Sequence, residues 1–137
     1  MVEYRLVLQP DIAEIPRLLN WVEACCGECG VVDDASFKLA LALEEAAANV
    51  IHHAFAAAPP PHRLAVELTI DADRVVALVS DNGRAFDPTA APAPETNGPV
   101  EERDPGGLGI HLIRRMMDRV AYQRIAGENR LRLEKAR

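Results

Sequence analysis

Asp81-Asn82-Gly83-Arg84-Ala85-Phe86-Asp87-Pro88 ends an apolar strand and begins a long irregular segment, and the rest of the fold is predicted outward from it. The preceding residues, Val75 to Ser80, are almost continuously apolar, which is typical of a well-buried strand. Before them, alternating residues from Arg63 to Ile70 predict a second strand, and Asp71-Ala72-Asp73 predicts a turn. The two strands are therefore expected to pair as a hairpin.

Beyond Pro88 the composition changes. Residues 89–106 carry four prolines among alanines and acidic residues. An irregular stretch of this length inside a small domain indicates a functional lid or a disordered loop. Gly106-Gly107-Leu108-Gly109 then begins a helix, and Val120 to Ile125 with Leu131 to Leu133 predict a closing hairpin.

The N-terminal half predicts one strand and two helices. Val2 to Leu8 alternates as a strand, and Asp11 is expected to cap a first helix, with Glu14 completing a capping box. This helix fades at Gly27 to Gly30, and a second runs from Asp33 to Phe55. The order of elements predicts an α+β two-layer sandwich, with helices on one face of a mostly antiparallel mixed sheet.

Composition indicates one folded domain over residues 1–137, because 49% of residues are hydrophobic and 26% are charged. The net charge of −6 argues against direct nucleic-acid binding. No apolar run is long enough to span a membrane, and no signal peptide is visible, so a cytoplasmic protein without membrane contact is expected. Cys25, Cys26 and Cys29 are expected to be free thiols. Packing at a helix end is favoured over a metal or redox site, since a zinc site needs four ligands.

Glu45 and Asn49 lie four residues apart on the second helix, so both side chains project from one helical face. The carboxylate could act as a general base, and the amide oxygen suits a hard cation such as Mg²⁺ shared with phosphates. The alternative is an exposed polar stripe without chemistry.

Two further segments carry candidate binding residues. Asp81, at a strand end, can accept a hydrogen bond from an exocyclic amine, and Gly83 permits a tight turn or close ligand approach. An ordinary turn is the alternative. The glycines of 106–109 precede a helix, whose free amides favour phosphate. A flexible hinge is the alternative there.

Together the three segments resemble the boxes of the GHKL superfamily of ATP-binding domains. Glu45-x-x-x-Asn49-x-x-x-His53-Ala54-Phe55 is similar to the N box, residues 81–88 to the G1 box, and residues 106–109 to the G2 box. Over nearly its full length the chain is most similar to the stand-alone anti-sigma-factor serine kinases of the RsbW and SpoIIAB type. Ala85 departs from the pattern, since many members have a second glycine there, and reduced nucleotide affinity is one expected consequence.

The resemblance implies ATP and Mg²⁺ as cofactors and assigns roles to the matching residues. Asn49 would coordinate Mg²⁺, Glu45 would be the catalytic base, and Asp81 would accept the adenine amino group. The other expected nucleotide-binding residues are Gly83, Gly106, Gly107, Leu108 and Gly109.

The implied function is a serine/threonine-protein kinase that acts as an anti-sigma factor. It would phosphorylate a small antagonist protein, sequester a sigma factor, and form a homodimer. Two alternatives remain open: a partner-switching module without kinase activity, and the catalytic domain of a split histidine kinase. The latter would take its phosphoacceptor from another chain.

Overall fold

The computed structural model describes residues 1–90 and 105–137, and of residues 105–108 it describes the backbone alone. The predicted lid therefore lies largely outside the described residues. In the described part the elements are β1 (Val2–Leu8), α1 (Ile15–Glu28), α2 (Asp33–Asn49), β2 (Leu64–Ile70), β3 (Arg74–Asp81), α3 (Pro105–Met116), β4 (Arg119–Ile125) and β5 (Glu128–Ala136).

The strands form one sheet in the order β1-β2-β3-β5-β4. Every described pairing is antiparallel, so the expectation of a mixed sheet is wrong for these strands. Both predicted hairpins are present, and the first is closed by Asp71 Oδ1, which accepts from the amides of Asp73 and Arg74 at 2.8 and 2.9 Å. The α+β sandwich is confirmed. The pairing of β3 with β5 places Asn129 opposite Asp81.

The core lies between the sheet and the helices. Alternate residues of β2 and β3 point into it, while the helices contribute leucine, isoleucine and valine at helical spacing. Each such side chain contributes about 1.5–3 kcal/mol when fully buried. Among the most deeply buried are Leu18, Val22, Leu39, Leu43, Leu64, Val66, Leu68, Ile70, Val75, Ile110, Ile113 and Leu133. None of the described helices is both long and apolar enough to cross a membrane.

The first helix begins differently from the prediction. Asp11 does act as a cap, because its Oδ1 accepts from the amide of Ala13 at 2.9 Å, but it caps a short 3₁₀ turn over Ile12–Glu14. Glu14 forms an ion pair with Arg17 at 3.2 Å rather than a capping-box contact. The α-helix proper therefore begins at Ile15.

The second helix and the last strand also differ in extent. The α-helix stops at Asn49, and Val50–Ala54 forms a π-helical turn before the chain leaves the helix. The last strand runs over nine residues, well beyond the predicted Leu131–Leu133. Because the outward residues of this strand are charged and its inward Asn129 is polar, the apolar alternation that predicts a strand covers only part of its length.

The three cysteines are free, as predicted. Cys25 and Cys26 are buried, and burial raises the pKa of both thiols, that of Cys25 to about 11. Thiols with so high a pKa are protonated and unreactive at neutral pH. No cluster of three metal-ligating side chains occurs among the described residues. The packing interpretation is therefore favoured.

Candidate functional site

A cleft opens between the end of α2 and the ends of β3, β4 and β5. It encloses about 320 Å³, including its open mouth. Asn49 and Asp81, from two of the three sequence segments, both line it. The other lining residues are Ala46, Val50, Val79, Phe86, Pro88, Tyr122, Asn129 and Leu131. The walls are thus mainly apolar, with a few polar groups, which is the usual composition of a small-molecule site.

Asn49 lies at the inner end of α2 and is only 7% exposed. Its Nδ2 atom is buried and forms no hydrogen bond with any described residue. A buried amide left in this way costs about 1–3 kcal/mol, which a bound ligand would relieve. The predicted polar stripe is therefore not an exposed face at this position.

Glu45 and Asn49 face Gly109 of α3. A Cβ atom at Gly109 would lie 3.0 Å from Glu45 Oε2 and 3.6 Å from both Nδ2 and Oδ1 of Asn49. Because Gly109 has no side chain, space is left beside the carboxylate of Glu45 and the amide of Asn49. The structure brings Gly109 of the third segment against the first segment. It describes Gly106, Gly107 and Leu108 only as the backbone of the first turn of α3.

Asp81 ends β3 and is 3% exposed. Its Oδ1 atom accepts two hydrogen bonds of 2.9 Å, one from the amide of Gly83 and one from Nδ2 of Asn129. Its Oδ2 atom forms none with the described residues. Burial raises the pKa of this carboxyl group, while the two hydrogen bonds oppose that rise. The side chain thus has one oxygen bound to the protein and one oxygen available.

Gly83 is required by contact between two backbones. A Cβ atom there would lie 2.5 Å from the carbonyl oxygen of Ala54, at the end of the π-helical turn. The next residue, Arg84, donates its amide to the same oxygen at 2.9 Å. The close approach that the sequence predicts at Gly83 is therefore made to the protein itself.

Ala85 is accommodated without backbone strain. Among the described residues other than glycine, only Ala126 has a positive φ. The alanine is also exposed, so it displaces no packed neighbour. Its difference from the family pattern therefore carries no conformational cost in this state of the loop.

His53 packs against the loop that follows β3. Its ring stacks on that of Phe86, with centroids 5.1 Å apart and planes inclined by 13°. Its carbonyl oxygen accepts from Nε of Arg84 at 3.1 Å. Because Phe86 lines the cleft, His53 supports a wall of the site.

Asn129 and Tyr122 line the cleft although the sequence analysis gave them no role. Asn129 is 4% exposed and makes four hydrogen bonds, and Tyr122 donates one of them at 2.5 Å. A polar residue at an inward position of the last strand was the available signal. It became meaningful only with the sheet order, which puts β5 beside β3.

The fold is that of a GHKL-type domain, and the chain matches the histidine kinase-like ATPase domain family over residues 8–135. The chain therefore belongs to that family. Among its relatives is the serine/threonine-protein kinase BtrW of Bordetella bronchiseptica, 40% identical over 99 residues, which cover 71% of this chain and 68% of BtrW. The serine-protein kinase RsbW of Bacillus subtilis is 26% identical over 132 residues, covering 92% and 79% of the two chains.

A solved structure has the same fold. It is the histidine kinase domain of a blue-light-activated histidine kinase from Erythrobacter litoralis EL346, with a TM-score of 0.56 and 11% identity. The match covers 90% of this chain, which spans 59% of the length of that chain. At this identity the likeness concerns the fold alone.

Proposed function

We propose that this chain is an ATP-dependent serine/threonine-protein kinase that acts as an anti-sigma factor. One observation carries the proposal. The cleft contains buried Asp81, whose Oδ2 atom has no donor among the described residues, and the Nδ2 atom of Asn49, which has no partner among them. Asn49 lies next to Glu45 and to the space left at Gly109. The relatives BtrW and RsbW are named serine/threonine- and serine-protein kinases, which supports the reaction class.

The base end of the nucleotide belongs at Asp81. Its Oδ2 atom is an acceptor without a protein donor among the described residues, so it can accept from the 6-amino group of adenine. Val79, Phe86 and Leu131 provide apolar surface nearby for the flat faces of the ring. For a carboxylate as buried as that of Asp81, such a hydrogen bond contributes about 1.5–3 kcal/mol.

The phosphate end belongs at the junction of α2 and α3. The amide oxygen of Asn49 would hold Mg²⁺, a hard cation that prefers oxygen ligands and takes the rest of its shell from phosphates and water. When bound, the ion would neutralise charge on the phosphates. The backbone amides of Gly106 and Gly107, at the start of α3, are proposed to donate to phosphate oxygens, whereas Leu108 and Gly109 lie where amides bond within the helix.

Glu45 is the proposed general base. Its carboxylate lies one helical turn from Asn49 and faces the same space beside Gly109. It would take the proton from a serine or threonine hydroxyl of the protein substrate as that oxygen bonds to the γ-phosphorus. The bond from the γ-phosphorus to the bridging oxygen breaks, and ADP leaves. Positioning and charge stabilisation provide most of the catalysis in such a transfer.

The proposed protein partners are a small anti-sigma-factor antagonist, which is phosphorylated, and a sigma factor, which is sequestered. The proposed setting is the cytoplasm. We also propose a homodimer, because β1 is an edge strand and is not paired on its outer side within the described residues. The net charge of −6 favours protein partners over direct contact with nucleic acid.

The proposal is tested by phosphoryl transfer. The chain is incubated with Mg²⁺, radiolabelled ATP and a purified antagonist protein, with a known kinase of this type run in parallel. We expect an acid-stable phosphoprotein. Glu45→Gln should lower the rate by about 10²–10⁴-fold, the usual contribution of a general base. Glu44→Gln is the matched control, because its side chain is rotated about 100° away on the helix.

Three results would contradict the proposal. Transfer by the parallel kinase alone, with nucleotide still bound here, would indicate a binding module without kinase activity. An acid-labile phosphoprotein would indicate transfer to histidine in a split system. Equal rates for Glu45→Gln and the wild-type chain would remove Glu45 as the base.

A further inference from the structure

Asn129 has its full hydrogen-bonding capacity used within the protein. Its Nδ2 donates to Asp81 Oδ1 at 2.9 Å and to the carbonyl oxygen of Arg84 at 2.7 Å. Its Oδ1 accepts from the amide of Phe86 at 3.1 Å and from the hydroxyl of Tyr122 at 2.5 Å. A side-chain amide has two donor hydrogens and two acceptor lone pairs, so nothing is left for a ligand.

These four bonds also fix which way the amide points. The amide of Phe86 can only donate, and the carbonyl of Arg84 can only accept, so the oxygen and nitrogen of Asn129 cannot be exchanged without breaking both bonds. Tyr122 holds the oxygen end from β4. The nitrogen is thus always presented to Asp81.

Asp81 is consequently held with its two oxygens in different environments. Oδ1 is bonded to Asn129 and to the amide of Gly83, while Oδ2 makes no bond to the described residues. Without Asn129 the carboxylate would keep one anchor and could turn about its terminal torsion, which is a soft degree of freedom.

Building on the proposed function, we propose that Asn129 is a positioning residue that makes the site selective for a 6-aminopurine over a 6-oxopurine. It fixes a pure acceptor where the exocyclic group of the purine arrives. A 6-amino group donates to that oxygen, whereas a 6-oxo group places two acceptors against each other. Asn129 also bonds to the backbones of Arg84 and Phe86 and so holds both residues against β5. The selection of the base and the position of the cleft wall at Phe86 therefore depend on the same side chain.

The test compares ADP with inosine diphosphate, which carries a 6-oxo group in place of the 6-amino group. Their dissociation constants are measured by calorimetry for wild type, Asn129→Ala and Tyr122→Phe. We expect wild type to prefer ADP by at least about tenfold, because a buried acceptor rejects a ligand without the matching donor. Asn129→Ala should bring the two constants within about threefold, chiefly through weaker ADP binding. Tyr122→Phe should reduce the preference by a smaller factor.

Glu134→Gln is the matched control. Glu134 is also buried on β5 and pairs with Arg74 at 2.6 Å and with Arg132 at 2.8 Å, but it does not line the cleft. The change should lower the midpoint of thermal unfolding and leave the preference for ADP unchanged. If Asn129 had a purely structural role, Asn129→Ala would behave like Glu134→Gln: its midpoint of thermal unfolding would fall and its preference for ADP would stay unchanged.

The outcomes separate this inference from the proposed function. If wild type prefers ADP and both Asn129→Ala and Tyr122→Phe keep that preference, the positioning role is wrong while the nucleotide site stands. If wild type binds neither nucleotide, both proposals fail. If Asn129→Ala does not fold, an unchanged preference in Tyr122→Phe overturns the inference and a reduced one supports it.

Discussion

At the scale of single residues, the site is built from buried polar groups that reduce the stability of the fold. Asp81 loses hydration, and the Nδ2 atom of Asn49 lacks a hydrogen-bond partner among the described residues. A buried polar group that is not fully compensated by hydrogen bonds costs free energy in the folded state only. Their presence in one cleft therefore argues for a binding role.

Asp81→Asn tests that cost. Burial raises the pKa of the Asp81 carboxyl in the folded state, so the native state binds its proton more tightly than the unfolded chain does. Wild-type stability therefore falls as the pH rises from the ordinary range of a carboxyl pKa to the raised folded value. Without ligand, Asp81→Asn should increase the free energy of unfolding at pH 7 by about 0.5–2 kcal/mol. Urea denaturation measures the gain, which should shrink towards pH 4.

Asp71→Asn is a control in which the free energy of unfolding should change in the opposite direction. The carboxylate of Asp71 accepts from the amides of Asp73 and Arg74, which lower its pKa. Asp71→Asn should therefore reduce stability at pH 7, and the difference should disappear as the pH falls through the lowered folded pKa. Asp81→Asn would contradict the account if it destabilised the protein equally at pH 4 and pH 7.

The sequence predicted some of the site residues and missed others for a physical reason. Glu45 and Asn49 share a helical face by their spacing, and the structure places both beside Gly109. Their chemical roles stay predictions. The sequence analysis missed Asn129 because its role depends on a hydrogen bond to Asp81, which lies 48 residues away in the sequence. A local sequence pattern carries no information on such a contact.

At the scale of elements, the π-helical turn after α2 determines how the loop after β3 is held. The turn over Val50–Ala54 presents the carbonyl oxygen of Ala54 to Gly83 and Arg84. Such turns are rare and occur often at functional sites. Hydrophobic periodicity predicted a continuous helix to Phe55, because a π turn alters hydrogen bonding without changing residue type.

Gly83→Ala tests this contact between the two backbones. The added Cβ would lie 2.5 Å from the oxygen of Ala54, and neither backbone can move without distorting the cleft. We expect a loss of about 1–3 kcal/mol in the free energy of unfolding, measured by urea denaturation, together with weaker binding of ADP.

Gly27→Ala is the matched control, because nothing lies within 4 Å of a Cβ at that exposed position inside α1. It should stabilise the protein by about 0.5–1 kcal/mol, the usual gain from replacing glycine in a helix. If Gly83→Ala were as stable as Gly27→Ala, the described contact would not constrain the loop.

At the scale of the whole molecule, the site requires the last strand, β5, to lie beside β3 in the sheet. The cleft combines the end of α2, the end of β3 and the beginning of β5. The sequence predicted the α+β class and both hairpins, which are local. It could not predict that β5 lies between β3 and β4, since sheet order is decided by packing between distant segments.

The central claim is that this cleft binds ATP with Mg²⁺ through Asn49 and Asp81. The most direct test is a thermal-shift titration with Mg-ATP on wild type, Asn49→Ala and Asp81→Asn, with Gly27→Ala as control. Ligand at 100 times its dissociation constant adds about 2.7 kcal/mol, which corresponds to several degrees in a domain of this size. The account predicts that rise in wild type and control and its loss in both site variants. No rise in folded wild type at millimolar Mg-ATP, or an equal rise in all four proteins, would contradict it.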